Sequence, residues 1–154
     1  ILIDAQKVEK AYFGSHLFRG PEALRAGLVE GLEISDVDCR LPEVLVRRRL
    51  GKFLATELDE LYPPGNCTRL LAHPTKTSGP LVYDRLRGAT SDMPNCPDRR
   101  IVLAVGPEGG WTDEEVALLS EKHLFTPFSA GERIMRTDVA VPVLLGLVRD
   151  LMQD

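Results

Sequence analysis

The chain has 154 residues, enough for one domain and too few for a second full one. With 44% hydrophobic and 27% charged residues it has the composition of an ordinary globular protein and not that of a disordered chain. A net charge of −4 makes the chain as a whole a poor match for the polyanionic backbone of a nucleic acid, so any such partner must be met by a local basic surface.

Short apolar runs alternate with longer helical patterns, which predicts an α/β fold: a mostly parallel sheet flanked by helices. The chain opens on Ile1-Leu2-Ile3-Asp4, without an initiating Met, a basic leader or a cleavage site, so it reads as a stretch that begins mid-sequence and carries no targeting signal. Ile1–Ile3 predicts a first strand and Glu22–Ile34 a first helix, with Tyr12 and Phe13 between them joining the core. Pro42–Val46 predicts the second strand. Between Cys39 and Phe53, Arg40, Arg47, Arg48, Arg49 and Lys52 face a single acid, Glu43. If RNA is the partner, Arg47, Arg48, Arg49 and Lys52 are the candidate phosphate contacts; the alternative is the solvated start of a helix.

That helix is predicted over Arg48–Tyr62, with Leu50, Phe53, Leu54, Leu58 and Leu61 on one face and Pro63-Pro64-Gly65 as its stop. Arg69–Ala72 predicts a third strand, Leu81–Leu86 a short helix, and Gly88–Arg100 a polar surface loop. Then follow a strand at Ile101–Val105, a helix at Asp113–His123, a strand at Phe125–Phe128 and a helix at Val139–Met152 whose first turn holds Pro142. No run approaches the roughly 18 apolar residues of a membrane-spanning helix. Cys39, Cys67 and Cys96, like His16, His73 and His123, are too scattered for a zinc site or a disulfide framework, so neither metal nor membrane is expected, and an intracellular, cytoplasmic setting is.

Two segments carry chemistry. In the first, the apolar strand Ile101–Val105 runs into Gly106-Pro107-Glu108-Gly109-Gly110, after which Thr112 and Glu115 have the spacing of a capping box. Such a loop lies at the carboxyl end of a strand, where open α/β sheets bind ligands, and its glycines let backbone amides approach closely. It is neither a dinucleotide fingerprint nor a phosphate-binding loop. Glu108 would repel a phosphate but can accept hydrogen bonds from ribose hydroxyls or an amine. The second segment, Ser129 to Ala140, places Arg133, Arg136, Thr137 and Asp138 between a strand and the last helix, where Thr137 or Asp138 could also serve simply as a cap.

Gly106-Pro107-Glu108-Gly109-Gly110 followed by Gly131-x-Arg133-Ile134-Met135-Arg136-Thr137-Asp138-x-Ala140 resembles the signature of the RsmE-type 16S ribosomal RNA uridine-N3 methyltransferases. Val8 to Phe13, Gly31-Leu32-Glu33, Leu41 to Val44 and Leu70 to Pro74 match in the same order, so the resemblance runs over nearly the whole chain. It implies a SPOUT-type α/β knot, whose C-terminal part threads a trefoil, and a homodimer whose active site uses both subunits. It also implies S-adenosyl-L-methionine held by three loops: Leu71, His73 and Pro74 in the first; Gly106, Pro107, Glu108, Gly109 and Gly110 in the second; Ser129, Ala130, Gly131, Ile134, Met135, Arg136 and Thr137 in the third. Small-subunit ribosomal RNA is the implied substrate.

Methyl transfer to uracil N3 needs a cation near the carbonyl oxygens, for which Arg136 comes first and Arg133 second, and Asp138 or Glu108 is the candidate base. Trp111 is left outside the site as a packing residue. Departures from the family pattern are Asp138-Val139-Ala140 where Glu, Thr, Ala is usual, Ala11 for Ser and Ala130 for Leu. The family's N-terminal RNA-binding barrel, and the first strand and helix of its methyltransferase domain, have no counterpart here. The competing readings are a non-catalytic cofactor-binding and dimerisation module, and a related enzyme acting on transfer RNA.

Overall fold

The computed structural model describes residues 1–18, 20–34, 39–74, 100–131 and 133–151. The helix expected over Leu81–Leu86, residues 88–99 of the expected loop, Cys96 and Met152 lie outside the described residues. The first strand, β1 (Leu2–Ile3), is followed by two 3-10 turns, Tyr12–Gly14 and His16–Phe18, and by helix α1 (Pro21–Glu33). Pro21 opens α1 at the position where a missing N–H costs nothing. β2 is shorter than expected: of the run from Pro42, only its end, Val46–Arg47, pairs in parallel with β1.

The single helix predicted over Arg48–Tyr62 is divided into α2 (Leu50–Thr56) and α3 (Leu58–Leu61). Glu57 leaves helical geometry at φ −120°, and its carboxylate meets the Arg47 guanidinium at 2.6 Å. A tertiary ion pair thus accompanies a break that helical periodicity could not show. Leu50, Phe53, Leu54 and Leu58 are buried as the spacing requires, while Leu61 is partly exposed.

β3 (Cys67–Ala72), β4 (Arg100–Val105) and β5 (Thr126–Phe128) form a parallel sheet in the order β4-β3-β5. Leu70 and Leu71 in its central strand are fully buried. Helix α4 (Asp113–Ala117) continues into a wider π turn over Leu118–Lys122, and Leu124 then reverses the chain with a φ of 59° before β5. The last helix, α5 (Thr137–Leu151), starts two residues earlier than expected. Pro142 therefore lies beyond the first turn, where its ring denies the Asp138 carbonyl its usual donor.

Strand alternation divides the core into two layers. On one face Leu71, Val102 and Ala104 pack with Phe53, Leu54, Leu58, Trp111, Leu119 and Phe125. On the other, Leu70, Phe128, Leu103 and Val105 pack with Leu144 and Val148 of α5. The expected α/β class with parallel pairing and helices on both faces is what is observed. Tyr12 corrects an expectation: it is 49% exposed and not a core residue, and Phe13 is half-buried against Phe18, ring centroids 5.6 Å apart. Among the described residues no helix is long and apolar enough to cross a membrane.

Candidate functional site

β3, β4 and β5 run in the same direction, so their carboxyl ends open together on one edge of the sheet. β4 and β5 flank β3 on opposite sides, which separates the loops that leave them and makes a crevice. A solvent-open cleft lies there, lined by the ends of the three strands, the loops that follow them and the start of the last helix.

The floor comes from Ala72, His73 and Pro74 after β3. The His73 amide donates to the Phe128 carbonyl at 2.9 Å, which carries the β3–β5 pairing past the strand end. Its Nδ1 is buried with no hydrogen-bond partner. One wall is Val105, Gly106, Pro107, Glu108, Gly110 and Trp111. Gly110 donates to the Pro107 carbonyl at 2.8 Å and turns with a φ of +70°, a conformation that favours glycine. Gly106 lies flat against the Trp111 indole: a Cβ there would stand 3.0 Å from Nε1. Trp111 in turn donates from Nε1 to the Ala72 carbonyl at 3.3 Å, joining this wall to the floor.

Helix α4 anchors that wall through the capping box the sequence predicts. Thr112 Oγ1 accepts from the Glu115 amide at 3.2 Å, and Glu115 Oε2 accepts from the Thr112 amide at 3.0 Å. Buried Glu115 also takes the Gln6 amide at 2.8 Å, so the chain's first segment is strapped to the glycine loop. Gly109 packs on the Lys7 side chain, and Lys7 Nζ reaches the Trp111 carbonyl at 3.3 Å. The Glu108 carboxylate lies close enough to Tyr12 that its charge is the main reason the phenol pKa is raised above its ordinary 10.0.

The opposite wall is Phe128, Ser129, Ala130, Gly131, Arg133, Ile134, Met135 and Thr137, with Ala140 and Leu144 of α5 behind. Ser129 Oγ donates to the Gly131 carbonyl at 2.7 Å and so shapes the turn. Of the residues singled out from sequence, His73, Pro74, Gly106, Pro107, Glu108, Gly110, Ser129, Ala130, Gly131, Arg133, Ile134, Met135 and Thr137 come together in this cleft. Leu71 does not line it, because its side chain is in the core. Gly109 faces Lys7 instead. Arg136 and Asp138 pair with each other at 3.2 Å on the exposed start of α5, outside the cleft lining.

Trp111, left outside the site on sequence grounds, is part of the wall; the signal that would have found it, its contact with Gly106, exists only in three dimensions. Within the basic stripe, Arg47 is committed to Glu57, whereas Arg48, Arg49 and Lys52 are exposed. None of the four lines the cleft. Among the described residues no cluster of His, Cys, Asp and Glu could hold a metal ion.

Apolar walls and the Glu108 carboxylate suit a nucleoside-like ligand better than a polyphosphate. Comparison with known proteins agrees. A family model described as RNA methyltransferase domain matches residues 3–149. The chain belongs to this RNA methyltransferase domain family.

Within the family, the chain is 40% identical over 113 residues to the ribosomal RNA small subunit methyltransferase E of a Synechocystis strain, supporting the RsmE type. That match covers 73% of this chain and 33% of the relative, so the chain matches about a third of the relative's length. Two solved structures share the methyltransferase domain's fold at low identity. One is described as a methyltransferase of Legionella pneumophila in complex with the bound cofactor SAM; it has a TM-score of 0.63 at 22% identity and covers 96% of this chain and 53% of that one. The other is described as an rRNA-methyltransferase of Porphyromonas gingivalis, with a TM-score of 0.65 at 21% identity over 98% of this chain and 55% of that one.

Proposed function

We propose that this RNA methyltransferase domain transfers a methyl group from S-adenosyl-L-methionine to N3 of a uridine in small-subunit ribosomal RNA. The observation that carries the reading is the convergence of the 106–111 and 129–137 segments on one cleft at the carboxyl ends of three parallel strands. The residues present fit the cofactor. Val105, Phe128, Leu144 and Trp111 offer apolar surface to an adenine and a methionine chain, Glu108 can accept from ribose hydroxyls or an ammonium, and the unpartnered His73 Nδ1 is a polar atom awaiting a contact.

When bound, the cofactor supplies an electrophilic methyl group. The chain's own residues must then orient uracil for in-line attack, a contribution that can reach roughly 7 to 11 kcal/mol in favourable cases. Arg133, at the cleft wall, is placed to offset negative charge growing on the uracil oxygens as N3 loses its proton. Arg136 and Asp138 pair with each other on the exposed start of α5 and do not line the cleft of their own chain. They are assigned to the same reaction across a homodimer, Arg136 as a second cation and Asp138 as the base that takes the N3 proton.

Support for a homodimer comes from α5, where Val139, Val141, Val143 and Leu145 are exposed in two i, i+4 pairs. The reading further includes the family's trefoil knot in the C-terminal part, an RNA-binding domain contributed from outside these residues, and a cytoplasmic setting. The match to only a third of that relative's length favours one alternative, a cofactor-binding and dimerisation module that needs the separate domain for activity.

The test is incubation of the chain with methyl-labelled S-adenosyl-L-methionine and small-subunit ribosomal RNA, followed by nuclease digestion and mass spectrometry. Label in 3-methyluridine is the expected result. Label elsewhere contradicts the substrate assignment, and cofactor binding without any transfer selects the module.

A further inference from the structure

The first 3-10 turn and the start of α2 assemble an aromatic and cationic cluster that the cleft chemistry does not use. Tyr12 is exposed, and Phe13 beside it lies against Phe18 with an interplanar angle of 30°. The Arg48 guanidinium sits 5.9 Å above the Phe13 ring, and among the described residues no carboxylate pairs with it. Arg49 and Lys52, also exposed, continue the positive charge along α2. The chain as a whole is acidic, so this concentration is a local departure from the bulk charge.

The cluster is tied to the cleft. Gly109 rests on Lys7 of the same N-terminal segment, and Tyr12 is near enough to Glu108, which lines the cleft wall, to feel its charge. About half of the Tyr12 surface is open to solvent. An exposed aromatic ring next in sequence to a ring covered by a guanidinium, on a surface that continues with further cations, is an arrangement suited to unstacked bases of single-stranded RNA. Proteins that modify a base need it unstacked, which leaves its neighbour in want of a stacking partner.

We propose that Tyr12, beside the cluster of Phe13, Phe18 and Arg48, is a stacking platform for the nucleotide adjacent to the one that enters the cleft. The platform rests on the reading of the cleft as the site of an RNA methyltransferase. Tyr12 supplies the π-face, Arg48 contacts the neighbouring phosphate, and Arg49 and Lys52 extend the backbone track. Such stacking is sequence-tolerant because every base has a π-face, so the platform contributes affinity and register without choosing the base.

The test measures binding of a short unstructured RNA, and of a base-free ribose-phosphate strand of equal length, to the full chain by fluorescence anisotropy across a salt series. The wild type should prefer the RNA. Tyr12→Ala should weaken RNA binding about tenfold while leaving the base-free strand unaffected, and Tyr12→Phe, which keeps the ring, should stay within about twofold of wild type. Arg48→Ala should weaken both strands and lower the salt slope by about one. Calorimetry with S-adenosyl-L-methionine on wild type and Arg48→Ala runs in parallel. Absence of cofactor binding in wild type would remove the methyltransferase reading, whereas the RNA series still reads the platform. The platform is overturned if wild type shows no RNA binding or no preference for bases, or if Tyr12→Ala binds RNA as wild type does. A change of oligomeric state in Tyr12→Ala with unaltered RNA affinity overturns it in favour of a contact between copies.

Discussion

Replacing Arg69 with Met should destabilise the domain far more than removing the acid it pairs with. The Arg69 side chain is 2% exposed, and its Nη2 donates to the Tyr62 carbonyl and the Asp59 carboxylate, both at 2.6 Å, while Nη1 donates to the His123 carbonyl at 3.0 Å. Its guanidinium also lies 6.0 Å from the Phe125 ring. One residue therefore ties the end of α3 and the end of the π turn to the central strand. In Arg69→Met, two carbonyls lose a charged donor at about 1 to 3 kcal/mol each, partly offset by the apolar replacement, for a net loss of about 2 to 4 kcal/mol. For a domain of this size that lowers Tm by roughly 6 to 12 °C. Asp59 is 67% exposed, so Asp59→Asn should cost less than about 1 kcal/mol. Thermal unfolding followed by circular dichroism measures both. Equal Tm losses in the two variants, or an Arg69→Met melt within about 2 °C of wild type, would refute the carbonyl-staple argument.

Three further outcomes follow from the same geometry. Glu115→Ala removes the acceptor of the Gln6 and Thr112 amides and should cost about 2 to 3 kcal/mol, read by denaturant unfolding of Trp111 fluorescence. His123 has its pKa lowered from 6.5, first by burial and then by Arg69 and Lys122, against the opposing pull of Asp59. Because the fold disfavours the imidazolium, the stability this histidine contributes is full above its unfolded pKa and is lost as pH falls through 6.5 toward the lower folded value; unfolding across that range should show the loss, and His123→Gln should flatten it. Arg136→Ala should cut methylation by at least about tenfold and leave S-adenosyl-L-methionine affinity within about twofold, measured by transfer assay and calorimetry; equal losses would move this arginine from reaction to binding.

The parts of the fold legible in the sequence are those fixed by local rules. Apolar Ile101–Val105, the glycine turn and the Thr112–Glu115 box specify strand, loop and helix start within one short stretch, and all three are observed. The cleft was legible to the extent that its loops are continuous in sequence: most residues named from 106 to 110 and 129 to 137 face it. What escaped depends on contacts between distant residues. The Arg47–Glu57 pair at the α2–α3 break, the exposure of Tyr12, and Trp111 seated on Gly106 are tertiary events with no periodic signature. Leu71 and Arg136 show the converse limit, because a motif places a residue in a loop without fixing which way its side chain points. Strand Pro42–Val46 failed for a related reason, as β1 offers only two residues with which to pair.

The most direct test titrates S-adenosyl-L-methionine into the chain while following Trp111, its single tryptophan, with calorimetry on the same samples. The account predicts saturable binding of one cofactor per chain, a change in Trp111 emission that tracks the heat, and loss of both in Gly131→Val, whose backbone at a φ of +134° disfavours any side chain. Heat without a Trp111 response, or binding unchanged by the Gly131 substitution, would contradict the claim that these two loops hold the cofactor between them.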